Sequence, residues 1–136
     1  MLRIVIAEPD EALSLWLAEA IAPANGFEVV GTALDGESAL AVVRRTHPDV
    51  VVVDVDIVMP PQGGLTLVEA ITDAVPGTLI VVLAADALEE TAQAALAAGA
   101  TGVLAKDGSA QIPTDLSWSD LGKGPGPSTS PGMTAS

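Results

Sequence analysis

Four consecutive valines at 50–53 constrain the fold of this chain more than any other feature. A strand with one face in water alternates apolar and polar side chains, and this run shows no alternation. Such a strand is typical of a parallel sheet that helices cover on both faces. Asp54 follows the last valine, so a charged side chain leaves the strand at its carboxyl end. The run therefore predicts a strand that is buried on both faces in an α/β fold.

Four further apolar runs have the length of a strand, and helical patterns separate them. The five predicted strands cover residues 2–7, 28–34, 50–53, 79–83 and 102–105. In the first helical segment Leu13, Trp16 and Leu17 recur at helical spacing and predict its inner face. Strands that alternate with helices form a parallel sheet through right-handed crossovers. We therefore predict a doubly wound, five-stranded parallel sheet flanked by helices.

The pattern weakens after the fifth predicted strand. Apolar side chains are sparse there, so we expect the fifth helix to be short or irregular. Residues 122–136 consist mainly of Gly, Pro, Ser and Thr, a composition that buries too little apolar surface to fold. We therefore expect one domain over residues 1–121 and a disordered tail or linker over residues 122–136.

Charge and composition exclude several functions. The chain has 5 basic and 18 acidic residues, a net charge of −13. This surplus opposes contact with nucleic-acid phosphates and with anionic lipids, so we expect neither partner. The absence of cysteine excludes disulfides, thiolate metal sites and thiol catalysis. No apolar run is long enough to span a bilayer, and Glu8 interrupts the N-terminal run, so we expect a cytoplasmic domain without a signal peptide.

Charged residues gather at one predicted edge of the sheet. Ligands of open α/β sheets bind where the strands end, and this edge carries Glu8, Asp10, Asp54, Asp56 and Lys106. Clustered carboxylates repel one another, and Mg²⁺ offsets that repulsion with one or two carboxylates and several waters. An Asp carboxylate is also a competent nucleophile towards phosphoryl donors, and a lysine can neutralise the phosphoryl charge. The four carboxylates are therefore candidate metal ligands, although Asp10 also fits the N-cap of the first helix, and Lys106 is the candidate charge partner.

Three segments resemble the receiver domain of bacterial response regulators, in particular the NarL/FixJ subfamily. They read IAEPDEAL, HPDVVVVDVDIVMPPQGGLTL and AALAAGATGVLAKDGS, and the resemblance runs from Leu2 to Gln111. It implies a flavodoxin-like (βα)₅ fold. It also implies two-component signalling, in which a histidine kinase phosphorylates one Asp of the receiver in a Mg²⁺-dependent reaction. A receiver is not an enzyme beyond its own phosphorylation and dephosphorylation.

The spacing of the family leaves two candidate phosphoacceptors. Counting four apolar residues forward from Pro48-Asp49 gives Asp54, whereas counting back from Met59-Pro60 gives Asp56. The difference means that this chain carries two additional residues. An insertion is tolerated better in a loop than in a buried strand. We therefore favour Asp54 as the acceptor, with Asp56 as the alternative.

Three departures from the family pattern indicate an atypical receiver. Pro9 stands where the family has an acidic metal ligand, so we expect weakened Mg²⁺ binding. Ala84 stands where a Thr or Ser hydroxyl bonds the phosphoryl group. Val103 stands where a Tyr or Phe changes rotamer on activation. Switching of the usual kind is therefore predicted to be impaired.

Three functions compete on these observations. The first is a receiver that is phosphorylated on Asp54 or Asp56, and the second is a phosphorylation-independent module for protein interaction or dimerisation. The third, a small α/β enzyme or nucleotide binder, is disfavoured because Glu8-Pro9-Asp10 replaces a glycine-rich phosphate loop.

The resemblance also suggests a surface for dimerisation and a neighbouring output domain. Receivers dimerise or dock through the surface of helix 4, strand 5 and helix 5, which is therefore the candidate homodimer surface. NarL-like regulators carry a DNA-binding output domain after a linker, and we see no such domain in these 136 residues.

Overall fold

The structure is a computed structural model, and it describes residues 2–21, 26–85 and 89–105. In these ranges strands and helices alternate, as predicted. The elements are β1 (Leu2–Ala7), α1 (Glu11–Ile21), β2 (Phe27–Ala33), α2 (Gly36–Thr46), β3 (Val50–Asp54), α3 (Gly64–Ala74), β4 (Leu79–Ala84), α4 (Glu89–Ala98) and β5 (Gly102–Ala105). The predicted fifth helix and the tail lie outside the described residues. No helix in the described ranges combines the length and the apolar character needed to cross a bilayer.

The five strands form one parallel sheet in the order β2-β1-β3-β4-β5. This is the flavodoxin-like order of a doubly wound fold, so the predicted fold class is confirmed. The chain moves outwards to β2 after β1 and then returns to place β3 on the other side of β1. The direction of winding therefore reverses between β1 and β3, which is where such folds bind their ligands.

The central strand β3 is buried on both faces, as its four valines predicted. Val51 and Val53 belong to the apolar cluster that α2, α3 and α4 cover, with Leu67 and Ile71 among its members. The even-numbered valines belong to the cluster on the opposite face, beneath α1. All four valines are 0% exposed. Because helices cover both faces of β3, none of its valines meets water, and this accounts for the absence of polar residues in the run.

Two details differ from the expectations. β2 covers 27–33 rather than 28–34, because Phe27 is fully buried at its start while Leu34 is exposed after its end. Trp16 does not belong to the inner face of α1, since 58% of it is exposed. The helix turns Leu17 and the small Ser14 towards the sheet instead, so the wider Trp16 side chain lies on the outer face.

Local signals fix the helix ends. The Asp35 side chain accepts a hydrogen bond from the Ser38 N–H at 2.8 Å and caps the N-terminus of α2. His47 ends the same helix in the left-handed conformation, and its N–H donates to Val43 O at 2.8 Å. Gly99 follows α4 with a positive φ of 121°.

Replacing Leu67 by alanine tests the buried interface between α3 and the sheet. Leu67 is 0% exposed, so Leu67→Ala should lower the free energy of unfolding by about 2–5 kcal/mol. Leu15→Ala is the matched control, because Leu15 is 60% exposed and its loss should change that free energy by about 0.5 kcal/mol or less. Urea denaturation followed by circular dichroism measures both. Equal losses in the two variants would contradict the assigned orientation of these helices.

The α2 cap predicts a pH dependence of stability. The hydrogen bond from the Ser38 backbone N–H holds the pKa of the Asp35 carboxyl below its usual value. Because that pKa is lower in the folded chain, the cap contributes fully above the unfolded-state pKa and is lost as pH falls through the folded-state pKa. Asp35→Asn keeps a capping oxygen but does not titrate. The stability difference between wild type and Asp35→Asn should therefore shrink from about pH 6 to about pH 2.5 in urea denaturation, whereas parallel profiles would exclude this role.

Candidate functional site

Two buried acidic residues leave adjacent strands at the point where the winding reverses. Ala7 of β1 pairs with Val53 of β3, and the next residues along the two strands are Glu8 and Asp54. Glu8 is 1% exposed and Asp54 is 0% exposed. The Glu8 N–H donates to Ala33 O at 3.0 Å, which ties the end of β1 to β2. The topology therefore brings together the first and third strand ends, as the sequence predicted.

A turn of the following loop orients the Asp54 carboxylate. Its Oδ1 atom accepts a hydrogen bond from the Asp56 N–H at 2.7 Å. The Ile57 N–H donates to Asp54 O at 3.1 Å and closes the same turn. The Val55 N–H donates to Leu83 O at 2.9 Å, so the turn is also anchored to β4. The backbone around Asp54 is thereby fixed on both sides of its side chain.

The loop after β3 is where the sequence predicts the two additional residues of the chain. β3 pairs with β1 and with β4 in unbroken register from Val50 onwards, so these pairs contain no β-bulge. β3 ends at Asp54, and residues 55–63 connect it to α3. The Asp56 side chain is exposed in this loop while its N–H contacts Asp54. The structure thus separates the two candidate acceptors, one in the buried edge of the sheet and one on the surface.

The Asp10 side chain forms hydrogen bonds with the backbone at the start of α1. Its Oδ1 atom accepts hydrogen bonds from the N–H groups of Ala12 at 3.0 Å and Leu13 at 3.2 Å. It therefore caps α1, and its side chain is exposed. The Asp10 N–H donates to Glu8 Oε2 at 3.0 Å, so the backbone of this turn holds the buried Glu8 carboxylate.

The four candidate metal ligands are not gathered into one group. No set of three or more His, Asp or Glu side chains that could hold a metal ion occurs in residues 2–21, 26–85 and 89–105. In the structure the Asp10 side chain caps α1 and the Asp56 side chain is exposed in the loop, and the four carboxylates stay predicted metal ligands. Glu8 and Asp54 remain adjacent and buried, and two carboxylates with added waters suit Mg²⁺.

The other predicted site positions divide between the described and undescribed parts of the chain. Lys106, the candidate charge partner, lies outside the described residues. Ala84 ends β4 and is 3% exposed, and Val103 of β5 is 0% exposed. Val82 and Val103 are paired across β4 and β5, so Val103 is part of the buried sheet. Both positions lie in the packed interior and carry only hydrocarbon side chains.

Sequence reasoning missed two glycines that shape the site. Gly64 begins α3, and a Cβ there would lie 2.7 Å from Asp54 O and from Val55 Cα. Its N–H donates to Val55 O at 3.0 Å, so α3 starts directly against the backbone that follows β3. Gly36 begins α2 and contacts Met59 of the loop. The Gly63-Gly64 pair before a helical pattern was the available signal for the first contact.

Comparison with known proteins defines the class of this fold and site. Residues 4–114 match the model of the response regulator receiver domain family. The chain therefore belongs to that family, and its setting is two-component signal transduction. The resemblance seen in the sequence is confirmed. Receiver domains bind Mg²⁺ and accept a phosphoryl group from a histidine kinase, and they are typically not enzymes in their own right.

Individual relatives agree with this assignment. The chain is 36% identical over 106 residues to protein-glutamate methylesterase/protein-glutamine glutaminase 4 of Geobacter metallireducens, covering 76% of this chain and 30% of that protein. It is 34% identical over 107 residues to the transcriptional regulatory protein DesR of Bacillus subtilis, covering 79% of this chain and 52% of that protein. The chain thus spans about a third to a half of these two curated relatives.

Solved structures show the same fold. The receiver domain of NarL from Mycobacterium tuberculosis superposes with a TM-score of 0.73 at 26% identity, covering 90% of this chain and 97% of that one. A LuxR-family response regulator from Aurantimonas superposes with a TM-score of 0.72 at 26% identity, covering 79% and 76%. The similarity to NarL-like receivers that the three segments predicted therefore extends over the whole sheet.

Proposed function

We propose that this chain is a phosphoacceptor receiver whose acceptor is Asp54 and whose Mg²⁺ binding and switching are weakened. One observation carries the choice of acceptor. Asp54 lies buried at the reversal point of the sheet beside Glu8, with its carboxylate oriented by the Asp56 N–H. Asp56 itself is exposed in the loop, so its side chain lacks the surroundings that fix Asp54.

The reaction at Asp54 is a phosphoryl transfer. A carboxylate oxygen of Asp54 forms a bond to phosphorus as the phosphorus–nitrogen bond of a phosphohistidine breaks, and the imidazole leaves and takes up a proton. Such a transfer depends on positioning of the nucleophile and on neutralisation of the phosphoryl charge. The turn at Asp56 and Ile57 positions the carboxylate. Lys106 remains our proposed charge partner for the phosphoryl group.

We expect this chain to bind Mg²⁺ more weakly than a conventional receiver does. Glu8 and Asp54 would hold Mg²⁺, which when bound neutralises charge on the phosphoryl oxygens. Pro9, the residue after Glu8, supplies no carboxylate, and the Asp10 carboxylate is already hydrogen-bonded to the N-terminus of α1. Fewer charged ligands mean a lower affinity for the ion.

A second function has its own support in the same site. Ala84 and Val103 are both buried and cannot form the hydroxyl contact or the rotamer change by which receivers usually report phosphorylation. Together with Pro9, these residues favour a phosphorylation-independent module that binds a partner or a second copy through helix 4, strand 5 and helix 5. A histidine kinase is the partner under the first function, and both functions suit a cytoplasmic signalling protein.

Phosphorylation in vitro separates the two functions and the two candidate acceptors. Incubation with Mg²⁺ and phosphoramidate should add one phosphoryl group to the wild-type chain, as measured by intact mass spectrometry. The increment should be absent in Asp54→Asn and kept in Asp56→Asn, because only the buried carboxylate is oriented for attack.

The opposite results are equally informative. Loss of the increment in Asp56→Asn alone would transfer the acceptor role to Asp56. No increment in wild type, combined with no spectral change on addition of beryllofluoride, would favour the phosphorylation-independent module.

Restoring a carboxylate at position 9 tests the weakened metal site. Pro9→Asp should raise the affinity for Mg²⁺ by about tenfold, because it adds a charged oxygen ligand beside Glu8 and Asp54. Pro9→Ala is the matched control, since it removes the proline ring without adding a carboxylate. Isothermal titration calorimetry with Mg²⁺ compares both with wild type, and equal affinities in Pro9→Asp and Pro9→Ala would refute the role of this position.

A further inference from the structure

The loop after β3 connects the acceptor carboxylate to another element of the fold. At one end of a three-residue segment, the Asp56 N–H donates to Asp54 Oδ1 at 2.7 Å. At the other end, Val58 O accepts a hydrogen bond from the Gly36 N–H at 2.8 Å. Ile57 between them is 1% exposed and belongs to the main apolar cluster. Both ends of the segment are therefore held by hydrogen bonds and its middle by burial.

The contact with α2 is close as well as hydrogen-bonded. A Cβ at Gly36 would lie 2.5 Å from Met59 Cβ and 2.6 Å from its Sδ, so the absence of a side chain at Gly36 lets the loop approach the helix. Gly36 is the first residue of α2 and is buried. Asp35 fixes this first turn by capping Ser38. A displacement of Val58 or Met59 therefore changes contacts with the start of α2.

The two positions that receivers usually use to report phosphorylation carry no polar side chain in this chain. Ala84 ends β4 with a methyl group, and Val103 is fully buried in β5. Neither side chain can exchange hydrogen bonds with a group on Asp54. The route from the Asp54 carboxylate through Asp56 to α2 consists, in contrast, of two hydrogen bonds and one apolar contact.

We infer that a change at the Asp54 carboxylate, either phosphorylation or loss of its hydrogen bond to the Asp56 N–H, alters the contacts of the N-terminal end of α2. Residues 56–59 transmit the change, and Gly36 is the positioning residue. The use of this coupling in signalling rests on the proposed function, but the coupling is a property of the folded chain. Coupling is reciprocal, so a change at Gly36 also alters the surroundings of Asp54. A partner that reads this receiver would then sense the surface around α2.

Backbone amide NMR of the full chain tests the inference without phosphorylation. Asp54→Ala removes the acceptor of the Asp56 N–H, whereas Asp54→Asn keeps an oxygen at Oδ1. In Asp54→Ala the Gly36 amide should shift, and it should exchange with solvent about tenfold faster, since the loop loses its hydrogen bond at Asp54. In Asp54→Asn the Gly36 amide should stay close to wild type. The Ala100 amide, which donates to Ala95 O at the end of α4, reports changes that are not local.

Two results of this comparison would overturn the inference. One is a Gly36 amide that is unaffected by Asp54→Ala. The other is an Ala100 amide that changes as much as the Gly36 amide, since that would mean general destabilisation rather than a specific route.

Gly36→Ala provides the reverse measurement and covers the case in which Asp54→Ala does not fold. The added methyl group must displace Met59, so the Asp56 amide and the Asp54 side-chain carbon should shift. Gly77→Ala is the matched control, because a Cβ at Gly77 meets nothing within 4 Å although its positive φ of 98° makes the substitution strained. Shifts at Asp56 in Gly36→Ala but not in Gly77→Ala support the inference, and unchanged Asp56 and Asp54 signals in Gly36→Ala overturn it.

A final arm links the coupling to phosphorylation. The wild-type chain is treated with Mg²⁺ and phosphoramidate, and intact mass and the Gly36 amide are followed together. A mass increment with a Gly36 shift supports the inference, and a mass increment without that shift overturns it. If no increment appears, the proposed acceptor function fails, while the Asp54 and Gly36 variants still decide whether the coupling exists.

Discussion

Burial of β3 on both faces is the constraint on which the rest of the structure depends. Four valines without polar alternation need an apolar layer above and below, and only helices on each side of a parallel sheet supply both. In the observed order β2-β1-β3-β4-β5 this strand is the central one. The first charged residue after the run, Asp54, therefore lies at the edge where neighbouring strands end. The position of the Asp54 carboxylate is thus a consequence of the core.

The sequence predicted the fold well because its signals were local or repeated. Runs of apolar residues gave the strands, and the alternation of elements gave the parallel topology. The buried pair Glu8 and Asp54 was also predictable, since parallel strands place their carboxyl ends at one edge. For this pair, the common position of the strand ends in a parallel sheet predicted the site better than the type of any single residue did.

Other features could not be predicted because they depend on contacts between distant segments. The orientation of α1 was one: Trp16 and Leu17 both fit a helical stripe, and only the docked sheet shows that Leu17 is the inner residue. The separation of Asp10 from the buried pair was another, since a carboxylate after a strand serves a cap or a metal equally well in sequence. The contact between Gly36 and Met59 joins segments that no local pattern connects.

The fixed loop after β3 has a consequence for which changes of loop length the fold accepts. Shortening the loop by two residues would remove or displace Val58 O, the acceptor for the Gly36 N–H. The start of α2 would then lose both a hydrogen bond and the Met59 contact in a single step. A shorter loop therefore needs compensating substitutions at the start of α2, so the length of this loop and the sequence of that helix are not independent.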